Sequence, residues 1–171
     1  MEAILQEQQF DFISPHDRQF ILAFDAEMTR LGYDCGGRIG PGYCWGKYML
    51  IYTKTGGKSK NVYARIYLRE TGIALRMFFS DVDKHRAFIE NAPRHIKEAF
   101  TGPAGDCRHD KNEKDGKCKF RKIYTIDGRL IEKCNGETFA FGSPRLEDLP
   151  DYLALFEEFY PGKKARVLSP L

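Results

Sequence analysis

Phe20, Ile21, Phe24, Met28 and Leu31 recur at three- and four-residue intervals behind Ser14-Pro15, until Gly32 ends the run. That spacing predicts an amphipathic helix of about five turns, capped by the serine and opened by a first-turn proline. The period then changes. GKYMLIYTK, NVYARIYLRE and IALRMFFS, separated by TGGKSK and by Glu70-Thr71-Gly72, read as three strands of an antiparallel meander. VDKHRAFIEN behind Ser80-Asp81 and PRHIKEAF behind Ala92 return to helical spacing, and Gly102-Pro103 ends them. KFRKIYTI and RLIEKC form a hairpin about Asp127-Gly128, with an extension through TFAF; Leu149, Tyr152, Leu153, Phe156 and Phe159 then mark a last helix, opened by Asp148 and Pro150.

Alternation within the strands assigns faces, since every second residue points the same way. Val62, Ala64, Ile66 and Leu68 give the second strand an apolar side, and Tyr63, Arg65, Tyr67 and Arg69 give it a side of rings and guanidinium groups. Met49, Ile51, Leu75, Met77 and Phe79 are assigned to the apolar side; Tyr48, Leu50, Tyr52, Arg76 and Phe78 are assigned to the Tyr/Arg stripe. The expected fold is α+β: an antiparallel sheet of about five strands with helices packed on one face.

Composition narrows the class. A chain of 171 residues with 42% hydrophobic content suits one domain, 1–171, with 1–12 and 162–171 expected to fray. No apolar stretch approaches the roughly 18 residues of a membrane span, and MEAILQEQQF has no export-signal pattern, so a cytoplasmic protein without a membrane partner is expected. Five cysteines without such a signal point to metal or burial rather than a disulfide framework. The net charge of +3 is too mild to require nucleic acid.

The sharpest candidate chemistry is CRHDKNEKDGKCKF, residues 107 to 120, followed by KCNG. Cys107, His109, Cys118 and Cys134 supply the thiolates and imidazole that a tetrahedral structural zinc takes, although without a paired CxxC spacing. Small thiols on a charged loop are the competing reading: residues 107 to 122 hold seven Lys/Arg against three Asp/Glu. The hairpin turn bears on the choice. A two-residue turn at Asp127-Gly128 sets Lys122 against Lys133 and puts Cys118 and Cys134 on opposite faces. A three-residue turn over Ile126-Asp127-Gly128 pairs Lys122 with Glu132 and lets the two cysteines share a face. The better-paired register is therefore the metal-compatible one. Cys35 and Cys44, flanking the glycine loop, read first as buried thiols, with a replacement ligand for His109 as the second reading.

GKYMLIYTK, NVYARIYLRE, IALRMFFS, HIKEAF, CKFRKIYTIDG, KCNG and EDLPDYLALFEEFYP together resemble an uncharacterised family of small bacterial proteins of clostridial type. Their organisation is also similar to the GyrI-like and double-wing uncharacterised domains. The resemblance implies an α+β fold with a cysteine cluster and carries no activity.

The functional reading is a binding module in which Tyr48, Tyr52, Tyr63, Arg65, Tyr67, Arg69 and Arg76 recognise a small planar molecule or a protein partner, with nucleic acid less favoured. The same stripe also fits a solvated sheet face, or one covered by the glycine loop or a second subunit. The alternative is an enzyme whose site lies by the Gly-rich loop 36–46, lined by Tyr43, Trp45 and a cysteine. His16, His85 and His95 have no serine or acidic partner that the sequence places in a triad.

Overall fold

A computed structural model describes residues 1–57, 61–102, 120–134 and 137–162. Ser14 accepts a hydrogen bond from the Asp17 amide at 3.1 Å and Pro15 fills the first turn of helix α2 (Pro15–Arg30), as the sequence signals predict. Gly32, with φ 86°, ends it. Residues 1–12 are not frayed. They form α1 (Glu2–Leu5) and a short 3-10 turn, and they bury Leu5 and Phe10. Arg18 of α2 holds this segment by donating to the carbonyls of Leu5, Phe10 and Ile13, which satisfies backbone groups that a frayed end would leave to water.

The glycine-rich segment after α2 is partly strand. β1 (Tyr33–Asp34) and β2 (Gly40–Pro41) both pair with β3 (Tyr48–Lys54). β3, β4 (Val62–Arg69) and β5 (Gly72–Phe78) make the predicted antiparallel meander, and β8 (Thr138–Gly142) adds to β5. Among the described residues the sheet has six strands, in the order β1-β3-β4-β5-β8 with β2 beside β3. The hairpin β6 (Lys122–Ile126) and β7 (Arg129–Lys133) does not join it, forming instead a separate two-stranded sheet. The TFAF extension, not the hairpin, completes the main sheet.

Helices α2, α3 (Arg86–Asn91), α4 (Arg94–Thr101) and α5 (Leu149–Phe159) complete the α+β architecture. Aromatic contacts show which sheet face the helices cover: Phe24 against Tyr52, Tyr152 against Phe141, and Phe100 stacked on Phe139 at 4.2 Å. Tyr48, Leu50 and Tyr52 pair with Leu68, Ile66 and Ala64, so all six side chains belong to that covered face. No described helix is long and apolar enough to cross a membrane.

The hairpin adopts the two-residue register. Asp127 and Gly128, at φ 49° and 70°, form the left-handed pair of a type I′ turn, and Lys122 faces Lys133. The three-residue turn is thus corrected. Its better charge pairing is outweighed by tertiary partners. Lys122 lies 3.2 Å from Glu137, while Lys133 donates to the Ala99 carbonyl at 2.7 Å and sits over the Phe139 ring. Burial pushes the Lys133 ammonium down to about 8.

Candidate binding face

The face of the main sheet away from the helices carries rows set by the strand register. Ile51, Arg65, Arg76 and Ala140 form one row across the sheet, and Met49, Tyr67, Ala74 and Gly142 form the next. Arg65 and Arg76 are directly opposed on neighbouring strands, a juxtaposition of like charges that ordinarily destabilises a sheet. Aromatic rings offset it. The Arg76 guanidinium lies 4.1 Å from the Trp45 ring centroid and 5.9 Å from that of Tyr67, and Arg65 lies 5.3 Å from that of Phe78. Arg65 Nη1 also donates to the Tyr67 hydroxyl at 3.2 Å, whereas its Nε is buried without a hydrogen-bond partner. Arg69, further along β4, donates to the carbonyls of Gly72 and Ile73.

No carboxylate among the described residues forms an ion pair with Arg65, Arg69 or Arg76. The described helix-side cations behave differently: Arg30, Lys84, Arg86 and Arg94 each hold an acidic neighbour. The sheet face therefore holds three half-buried guanidinium groups whose partners among the described residues are rings, a hydroxyl and backbone carbonyls rather than carboxylates.

Trp45 reaches this face from a 3-10 turn, Tyr43–Trp45, because the glycines around it let the chain close tightly. A Cβ at Gly42 would stand 2.2 Å from the Gly46 carbonyl oxygen, and one at Gly46 would stand 2.9 Å from that of Leu68. Only glycine fits at these two places. The turn presents Tyr43 at 77% and Trp45 at 54% exposure, while Tyr67 beneath is 3% exposed. The alternation of tyrosine and arginine signalled the strand residues, but the part played by Trp45 follows from the loop closure.

Three tyrosines assigned to this stripe from the sequence lie elsewhere. Tyr48 stacks on Phe12 and meets Phe10 edge-on, on the covered side. Tyr52 is fully buried and donates to Asp25 Oδ1 at 3.2 Å. Tyr63 sits at a bulge, because Tyr52 pairs with Ala64 but Thr53 pairs with Val62. The extra residue breaks the alternation, and its ring packs 4.8 Å from both Tyr33 and Tyr160. Met49 and Ile51, assigned to the core, take the places of Tyr48 and Tyr52 on the arginine side. Arg65, Tyr67, Arg69 and Arg76 remain together.

Cys107, His109 and Cys118 lie outside the described residues, and Cys134 is half-buried just past β7. Continuing the observed register one step brings Cys134 to Arg121 rather than Phe120, so the pairing argument for a face shared with Cys118 no longer follows. Among the described residues, His95, Asp148 and Asp151 group their donor atoms within 4.8 Å of one another. Arg145 occupies that group, making two 2.8 Å bonds to Asp148 and holding its carboxyl below the usual range; His95 Nε2 lies 3.3 Å from Asp151. We read it as a polar cluster in which the Arg145–Asp148 ion pair takes up one carboxylate and His95 of α4 lies beside Asp151 of α5.

The glycine loop shows no activated thiol at Cys35. Burial and the neighbouring Asp25 carboxylate, 3.5 Å from the sulfur, push that thiol up, away from the reactive thiolate. Two cavities, of about 250 and 410 Å³, share Glu137 in their linings and include none of the three face arginines. No protein-family model, curated protein or solved structure gives a significant match to the chain.

Proposed function

We propose that this protein is a binding module whose arginine and aromatic sheet face recognises an anionic partner. The observation that carries the reading is the alignment of half-buried Arg65, Arg69 and Arg76 on one sheet face, with none of them ion-paired to a carboxylate among the described residues. Uncompensated guanidinium groups gain most from phosphate or carboxylate oxygens, which they contact through paired donors. A small molecule is a poor occupant, since such ligands gain affinity by being enclosed over most of their surface. An extended partner would instead sum several modest contacts across the face.

The chain's single tryptophan lies on the face and supplies the readout. Trp45 emission should change saturably at low salt on titration with at least one of three probes: polyphosphate, polyglutamate or oligouridylate. Arg65→Gln/Arg76→Gln should weaken that response about tenfold or more, given the strength of charge-assisted hydrogen bonds. Lys84→Gln/Arg94→Gln, which removes the same charge from exposed helix-side positions, should leave it unchanged. Equal losses in both variants, or no response to any probe, would overturn the reading.

A further inference from the structure

We infer, resting on that reading, that the occupant of this face is a single-stranded nucleic acid whose bases stack on Trp45 and whose phosphates meet Arg65, Arg69 and Arg76. The indole has two sides with different circumstances. One is covered by the Arg76 guanidinium at 4.1 Å, and the residue as a whole remains 54% exposed. The open side is a ring held in place by its own cation, which is how a stacking platform is fixed before a base arrives. Tyr43, two residues earlier in the same turn, is still more exposed.

The floor beside this platform is low. Ala74 pairs with Gly142 and Arg76 with Ala140, so small groups border the arginines on the side toward β8, and Ala140 and Gly142 are exposed. A flat group can approach the sheet closely there. Four strands from β3 to β8 span roughly 14 Å, enough for several nucleotides laid across them. Duplex DNA is a worse fit, because its bases are already stacked and the described residues of the face present no helix or ribbon to enter a groove. An acidic peptide would satisfy the arginines and leave the aromatic platform unused. Three cations and a net charge of only +3 set the scale: few phosphates, modest affinity and a shallow salt dependence.

The test uses fluorescently labelled oligouridylate and oligothymidylate of about twelve nucleotides, within the span of a small single-strand site, followed by anisotropy with the full chain. Competition with polyphosphate and polyglutamate runs alongside. The expected results are preference for the oligonucleotides over both competitors at equal charge and a log affinity against log salt slope near −2, for about three phosphates at ~0.7 each. Trp45→Leu should lose about fivefold or more in oligonucleotide affinity, with Trp45→Phe recovering part of it. Uridylate and thymidylate arms binding alike place the contacts on base and phosphate; a strong uridylate preference adds the 2′-hydroxyl. Either result supports the inference. If polyphosphate or polyglutamate binds as tightly as the oligonucleotides and Trp45→Leu is indifferent, this inference falls while the anion-binding face stands. If no probe binds, both fall.

Discussion

Tyr63 and Tyr67 stand four residues apart in one strand and pack on opposite sides of the sheet. Tyr63→Ala removes a ring held between Tyr33 and Tyr160 on the helix side, so it should cost about 2–3 kcal/mol of stability and leave anion affinity unchanged. Denaturant unfolding beside the Trp45 titration separates the two effects. Tyr52→Phe should cost about 1 kcal/mol, for the loss of the hydroxyl's bond to Asp25, a carboxylate that water still reaches. Neither change touches the arginines. The face was only half legible at this scale. Arg65, Tyr67 and Arg69 follow from alternation alone, but β3 offers apolar or aromatic residues on both sides, Tyr48/Leu50/Tyr52 and Met49/Ile51, so its pattern does not choose. Packing chooses: Tyr52 fills the space beneath α2, where its hydroxyl finds Asp25, and Tyr48 packs against Phe10 and Phe12 of the N-terminal segment. A bulge has no marker in NVYARIYLRE, which is why Tyr63 misleads.

The β6–β7 hairpin illustrates how an element's neighbours select its register. Its turn needs two left-handed residues, and its strands are held from outside: Asp83 accepts from the Thr125 amide at 3.0 Å and Glu90 from that of Asp127 at 2.8 Å. Tyr124 donates to the Phe100 carbonyl at 2.6 Å. These bonds connect distant parts of the sequence, so cross-strand pairing by itself favoured the wrong turn. Helix α2 and the strand order of the meander, by contrast, are specified by local caps, turns and periods and are legible in the sequence, although the faces of β3 and the bulge at Tyr63 are not. Gly128→Ala should cost about 1 kcal/mol, because alanine resists φ near 70°. With these anchors the register should survive a metal chelator. Hydrogen exchange at Tyr124 and Ile131 checks this; loss of their protection on chelation would mean that zinc, held through Cys134, pins the hairpin after all.

At the scale of the whole molecule, the tyrosines join both layers. Burial raises Tyr33, Tyr52 and Tyr124, and it pushes Tyr152 and Tyr160 up to about 12. The folded state thus favours the neutral phenols. Their contribution is complete below the ordinary tyrosine value near 10 and is lost as pH rises toward the folded values. An alkaline titration should therefore show the exposed phenols ionising first. The buried ones should follow in a steep step that coincides with loss of circular dichroism, whereas gradual ionisation of all nine tyrosines without unfolding would contradict this packing.

The proposed division of the molecule into a helix-covered side that stabilises and an arginine side that binds is tested most directly by nuclear magnetic resonance of nitrogen-labelled protein titrated with oligouridylate. The account predicts that the Trp45 indole and the arginine side-chain Nε signals of Arg65, Arg69 and Arg76 move together, with the amides of β4 and β5, while α2, α4 and α5 stay still. Shifts centred on the helices, or on the cavity beside Glu137, would contradict it.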